Sequence, residues 1–258
     1  MIPVIDLAGF RIWTWGLMNA LATLSAAGIS VYEARYRRVD PLVLLRMWPW
    51  VAVSAVIGAH LYYLAAVGRD ALTLRDVFRL ADGTAIQGGM IGGVLAALVY
   101  FKLHKLRALP LLDVCAPGAA FSHGVTRLGC FAAGCCFGKP TSLPWGVVFL
   151  KPNSQAPIGV PLHPAQLYES ALDFLLAGLL HASLKKNQGP DGKVFWRYIV
   201  GYSLIRFCVQ FYRDDDAGHL VWGLAHSQFM AAGMFLLGAV LLLKPPARPS
   251  SARGLPRN

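Results

Sequence analysis

The sequence predicts an all-α integral membrane protein of about seven transmembrane helices, N-terminus out and C-terminus in, with a small irregular arm or loop on the outer side. Three observations carry that expectation. The 258 residues are 56% hydrophobic and only 14% charged, with a mean hydropathy of +0.50, well away from an average soluble domain. Seven apolar stretches approach the roughly 20 residues that a helix needs to cross a bilayer. Lys and Arg fall unevenly on the segments between them, and the richer side is cytoplasmic.

The apolar stretches run at about 12–31, 42–67, 85–101, 109–125, 166–184, 195–212 and 226–243. One side of the bilayer receives fourteen basic residues: Arg35, Arg37, Arg38, Lys102, Lys105, Arg107, Lys185, Lys186, Lys193, Arg197, Lys244, Arg248, Arg253 and Arg257. The other receives eight: Arg11, Arg69, Arg75, Arg79, Arg127, Lys139, Lys151 and Arg213. No repeat or soluble domain interrupts the pattern, so residues 1–243 read as one polytopic domain. Residues 244–258, KPPARPSSARGLPRN, are Pro-rich and basic and read as a disordered cytoplasmic tail. The N-terminus has neither the charged region nor the cleavage site of a removable signal peptide, so residue 1 is expected in the mature chain. The formal charge of +11 sits at the ends of apolar runs, which suits membrane lipid headgroups and excludes a nucleic-acid stripe.

The third stretch opens with Gln87 and the glycine pairs 88–89 and 92–93, a small-xxx-small pattern that lets two helix backbones approach. The fourth carries Asp113, then Pro117-Gly118, which predicts a break or kink before Arg127. Asp113 and Arg127 could neutralise each other. Alternatively Arg127, in the segment TRLGCFAAGCCFG from Thr126 to Gly138, points into a water-reachable cavity at an anion, with irregular backbone lining that cavity. Cys130, Cys135 and Cys136 lack a second cysteine pair or a clustered histidine at familiar spacing, so they read as packing residues with no metal.

The outer loop holds a candidate strand at Trp145–Phe149 and ends in HPAQLYES, His163 to Ser170. Proline favours the first helical turn, so a helix starting at Pro164 would aim Gln166, Glu169 and Ser170 along one side. Glu169 is either a functional acid or a carboxylate that complements a helix N-terminus. On the sixth stretch Arg206, Gln210 and Arg213 share one face. With Arg127 these arginines suit a phosphate, which the planar guanidinium fork matches.

Taken together, these residues resemble the bacterial prolipoprotein diacylglyceryl transferases from about residue 11 to 243. HPAQLYE, His163 to Glu169, is similar to that family's His-Pro-Ser-Gln-Leu-Tyr-Glu, and the Arg127 to Gly138 stretch to its Gly-Arg-x-Gly signature. Asp113 to Pro117, the Gly88 to Gly93 run, Arg206-Phe207 to Phe211-Tyr212-Arg213, and Asp216-Ala217 also look like family landmarks. The resemblance implies an inner-membrane enzyme, acting on the outer side, that moves the diacylglyceryl group of phosphatidylglycerol onto the lipobox cysteine of a preprolipoprotein and releases glycerol phosphate. It implies functional roles for Arg127, Arg206 and Gly138. Three positions depart from the family pattern: Gln87 replaces a histidine, Cys130 an asparagine and Trp15 a tyrosine.

That chemistry requires fixed positive charge on the leaving phosphate, for which Arg127 and Arg206 are candidates with Arg213 at the rim. It also requires a means of ionising the thiol, for which His163 or Glu169 is the candidate base. Gln87, Gln166, Tyr168 and Gly138 complete the expected substrate-binding set. No metal or organic cofactor is required. The competing reading is a diverged, non-enzymatic relative or a small-anion transporter using the same arginines, although no inverted repeat supports it.

Overall fold

A computed structural model describes residues 4–7, 10–67, 86–150, 154–186, 190–214 and 220–243. Among these residues each apolar stretch forms one helix: α1 (Thr14–Glu33), α2 (Pro41–Val67), α3 (Ile86–Leu103), α4 (Ala108–Ala133), α5 (Ala165–Lys185), α6 (Lys193–Gln210) and α7 (His226–Leu243). Two of them, over Pro41–Ala66 and His226–Leu243, are long and apolar enough by length and composition to cross a membrane. Many large apolar side chains point outward, among them Met90 65%, Leu103 73% and Leu236 64% exposed. Water would penalise such a surface; lipid does not.

Helix α4 holds the centre, packed against α1 and α5 and touching α6, while α2 pairs with α3 and α6 with α7. Small residues set the closeness of these pairs. A Cβ on Gly58, Gly88 or Gly92 would run into the backbone of the facing helix, so α2 and α3 meet backbone to backbone, as the glycine pattern of the third stretch predicts. Toward one end of the bundle Leu44, Tyr100, Phe101, Leu111, Leu180 and Val194 bury one another.

The structure corrects four expectations. Strands β1 (Val4–Leu7) and β2 (Phe10–Trp13) pair antiparallel, so the first helix starts at Thr14, slightly later than hydropathy indicates. Of the break or kink expected at Pro117, the break is absent, because α4 is one helix from Ala108 to Ala133, and neighbouring helices can accommodate the lost backbone bond. Arg127 therefore stands on regular helix, and the irregular backbone begins only at Gly134, whose φ of 73° caps the helix. Asp113 does not pair with Arg127. It accepts the N–H groups of Gly192 (2.9 Å) and Phe195 (2.8 Å) at the start of α6 and meets Arg37 at 3.0 Å.

The expected arm is present between α4 and α5. Strands β3 (Val147–Val148) and β4 (Pro161–Leu162) pair antiparallel over a small core of Phe149, Ala156 and Leu162. A second hairpin, β5 (Leu220–Val221) with β6 (Leu224–Ala225), turns through Trp222 and Gly223, both at positive φ, immediately before α7. The side chain of Gln87, the basic residues Arg69, Arg75 and Arg79, and the tail 244–258 lie outside the described residues.

Candidate functional site

Helix α5 starts at Ala165, one residue later than the proline predicts, with Pro164 as its N-cap residue. Helical spacing then places Gln166, Glu169, Ser170 and Asp173 toward α4, and all four are buried. The Ser170 hydroxyl donates to the Gly124 carbonyl at 2.9 Å, tying α5 to α4. At Gly124 a side chain would collide with the Phe174 ring, so the helices meet closely at this level. The consequence is that Glu169, on α5, comes level with Arg127, on α4.

Three guanidiniums converge on the fully buried Glu169 carboxylate. Arg127 Nη2 lies 3.0 Å from Oε1, Arg213 Nη1 3.4 Å from Oε2 and Arg206 Nη1 3.6 Å from Oε2. Arg213 lies beyond the end of α6, but its N–H bonds to the Gln210 carbonyl at 3.1 Å and keeps the helical direction. Arg127 and Arg206 each retain 17% side-chain exposure, so the cluster can be reached. Arg206 Nη1 and Gln166 Oε1 are buried without a hydrogen-bond partner, although Gln166 Nε2 donates to the Cys135 carbonyl at 2.8 Å. Even when Asp173, one turn along α5, is counted as ionised, three guanidiniums face two carboxylates. The surplus is positive.

Gly138 works by having no side chain. A Cβ there would overlap the carbonyl oxygen of His163 and crowd that of Tyr212. The bare backbone instead bridges to Arg213, while Lys139 N–H bonds to the Tyr212 carbonyl (2.8 Å) and His163 N–H to the Lys139 carbonyl (2.9 Å). This small lattice joins the arm to the end of α6 and positions Arg213.

His163 belongs to the arm rather than to the arginine cluster. Its Nδ1 lies 3.3 Å from the Tyr168 hydroxyl, which accepts the Trp145 Nε1–H at 2.7 Å. The His163 ring also packs against Tyr168 and Tyr212, with centroids 6.1 and 5.3 Å away. The structure thus brings Arg127, Arg206, Arg213 and Glu169 together and sets His163, at the end of the arm, against Tyr168 of α5 as a second group. Cys130, Cys135 and Cys136 gather beside Arg127, whose Nη1 lies 4.0 Å from Cys130 Sγ.

Along α4 and α5, away from the cluster, lies an apolar crevice of about 440 Å³ lined by Gly28, Tyr32, Pro117, Phe121, Phe174 and His181. Sequence reasoning missed Asp173 and the crevice. Asp173 was detectable as the next position on the stripe of Gln166, Glu169 and Ser170.

A model of the prolipoprotein diacylglyceryl transferase family matches residues 3–244. Curated relatives named phosphatidylglycerol–prolipoprotein diacylglyceryl transferase resemble the chain over nearly its whole length. The one from Clostridium tetani is 33% identical over 240 residues, covering 92% of this chain and 95% of the relative. A second, numbered 2, from Clostridium perfringens is 33% identical over 242 residues, covering 92% of each. The Campylobacter curvus protein is 30% identical over 249 residues, covering 90% of this chain and 89% of its own.

Proposed function

The chain belongs to the prolipoprotein diacylglyceryl transferase family, and from that premise we propose that it transfers the diacylglyceryl group of phosphatidylglycerol to the lipobox cysteine of preprolipoproteins. One observation carries the residue-level reading. Arg127, Arg206 and Arg213 surround a single buried carboxylate, and the Nη1 of Arg206 has no hydrogen-bond partner. A cluster built only for stability would match its charges; this one carries an excess of positive charge that an anion would offset.

In the reaction the substrate thiol sulfur forms a bond to the terminal glyceryl carbon while that carbon's bond to phosphate oxygen breaks. The thiol proton passes to a base, and glycerol phosphate leaves. Arg127 and Arg206 hold the departing phosphate, where positive charge matters most as the C–O bond lengthens. Glu169 spaces the guanidiniums, and Arg213, anchored through Gly138, supports them from the arm. His163 receives the thiol proton at Nε2, with Nδ1–H donated to the Tyr168 oxygen, which has two lone pairs and can also accept from Trp145. Gln166 offers its unpartnered Oε1 to a donor on the lipid headgroup. Gln87 completes the substrate-binding set.

The acyl chains are directed toward the apolar crevice. Phe174 lies five residues beyond Glu169, about 8 Å along α5 at 1.5 Å per residue, so a headgroup at the arginines places its tails there. All seven helices span the inner membrane, the N-terminus and the arginine site face outward, and the tail 244–258 is cytoplasmic. Residues 1–243 form the one membrane domain.

The test is direct. Protein in lipid nanodiscs, given labelled phosphatidylglycerol and a lipobox peptide, should add the mass of a diacylglyceryl group to the peptide cysteine and release glycerol phosphate. Anion flux into liposomes without peptide modification would replace this reading with the transporter.

A further inference from the structure

The spacing Cys-x4-Cys-Cys gives no reason to expect a metal site, because four intervening helical residues would carry the later cysteines onward along α4. The chain does not continue that way. Gly134, at a φ of 73°, ends the helix, and Cys135 N–H turns back to bond the Cys130 carbonyl at 3.1 Å. Cys136 then adopts a φ of 57°, a left-handed conformation uncommon for a residue with a side chain. These two turns fold the vicinal pair over Cys130. All three Sγ atoms lie within 4.8 Å of one another, and all three thiols are free.

We propose that Cys130, Cys135 and Cys136 form a three-thiolate site for a thiophilic divalent cation of the zinc and cadmium class, and that its occupation withdraws Arg127 from the lipid phosphate. Zinc bonds thiolate at about 2.3 Å, which sets sulfurs about 3.8–4.0 Å apart. The observed trio needs to contract by at most about 1 Å, within reach of small side-chain rotations. Water can fill the fourth position. Binding releases three thiol protons to the buffer, and three thiolates with one divalent cation carry a net negative charge. Arg127 Nη1, 4.0 Å from Cys130 Sγ, is a counter-charge beside the trio, with Arg213 acting on Cys136 as well, and Arg127 is the same guanidinium assigned to the phosphate. A metal-filled site and a bound phospholipid therefore compete. The cysteines are inhibitory ligands, not part of the transfer chemistry.

The coupling to lipid rests on the proposed function; the metal site does not, and the two separate experimentally. Purified protein kept reduced with a phosphine is titrated with Cd²⁺ alone, following thiolate-to-cadmium charge-transfer absorption. One Cd²⁺ should bind per chain. Binding should be unchanged in Cys208→Ser, and weakened at least about tenfold in both Cys136→Ser and Cys135→Ser, since even supporting groups at metal sites are worth that much. Absence of the band, or an affinity unchanged from the parent in either cluster variant, overturns the site. In the transferase assay bound Cd²⁺ should raise the apparent KM for phosphatidylglycerol several-fold with kcat unchanged. A fall in kcat alone overturns the competition with lipid. Protein that binds Cd²⁺ in this way but never modifies peptide would leave the metal site standing and the transferase reading fallen.

Discussion

Two buried carboxylates sit at opposite ends of the same bundle and are treated differently. Asp113, at the start of α4, is satisfied on every side: Arg37 offsets its charge and two backbone N–H groups of α6 fill its oxygens. Glu169 faces Arg127, fourteen residues further along α4 and so about 21 Å away by helix rise, and it is oversupplied with three guanidiniums. Both side chains are 0% exposed. Burial alone therefore does not separate a structural acid from a functional one; the charge balance around it does. The Asp113 cluster is closed and joins helices, whereas the Glu169 cluster keeps an excess of positive charge, which the proposed phosphate would use.

The largest effect expected from this contrast is on stability. Asp113→Ala leaves Arg37 without its carboxylate and the N-terminus of α6 uncapped, and should destabilise the fold by about 3–5 kcal/mol, the cost of breaking a buried pair. Thermal unfolding in detergent reads this, and turnover per folded molecule should persist. A variant that stays stable but inactive would break the comparison.

Arg206→Lys should do the reverse. It keeps the charge and loses the fork, so kcat should fall by about 2.7–4 kcal/mol, the worth of one oriented donor, with a smaller change in KM for lipid and little change in unfolding temperature. Parent-like turnover from a folded lysine variant would remove Arg206 from the phosphate clamp.

Gly138→Ala tests how the two groups are connected. Its new methyl meets the His163 carbonyl, and overpacking of this kind costs about 1–3 kcal/mol. Arg213 should shift with the arm, so activity should fall along with stability. If activity holds while stability falls, the arm does not position the arginine.

Tyr168→Phe removes only the hydroxyl between Trp145 and His163, worth about 0.5–1.5 kcal/mol as a hydrogen bond. The pH profile of kcat/KM should move if His163 is the base, and Trp145 fluorescence should report the lost partner in any case. An unmoved profile would take His163 out of proton transfer.

The smallest expected signal is none. With the tail, and with it the Asp113 end of the bundle, facing the cytoplasm as proposed, a Ser251→Cys variant in intact cells should resist an impermeant thiol reagent. Ready labelling would exchange the sides of the two carboxylates.

The positions of the seven helices were legible in the sequence because hydropathy acts locally: about 20 apolar residues make a helix wherever their neighbours are. The helix start beside Pro164 and the α2–α3 glycine contact were legible for the same reason, as short-range backbone rules. The common face of Gln166, Glu169 and Ser170 followed from helical periodicity. Pairings between elements were not. Sequence alone left Asp113 beside Arg127 as an option, because both lie in one apolar stretch. The regular α4 separates them by some four turns, and the fold supplies Arg37 and the start of α6 instead. Likewise the three cysteines looked too poorly spaced for any joint role, until a left-handed cap at Gly134 reversed the chain. Residue chemistry determined that arginines and an acid would be present. Which acid the arginines share, and what positive charge remains, was decided by the register between α4, α5 and α6, a long-range packing property that no single segment encodes.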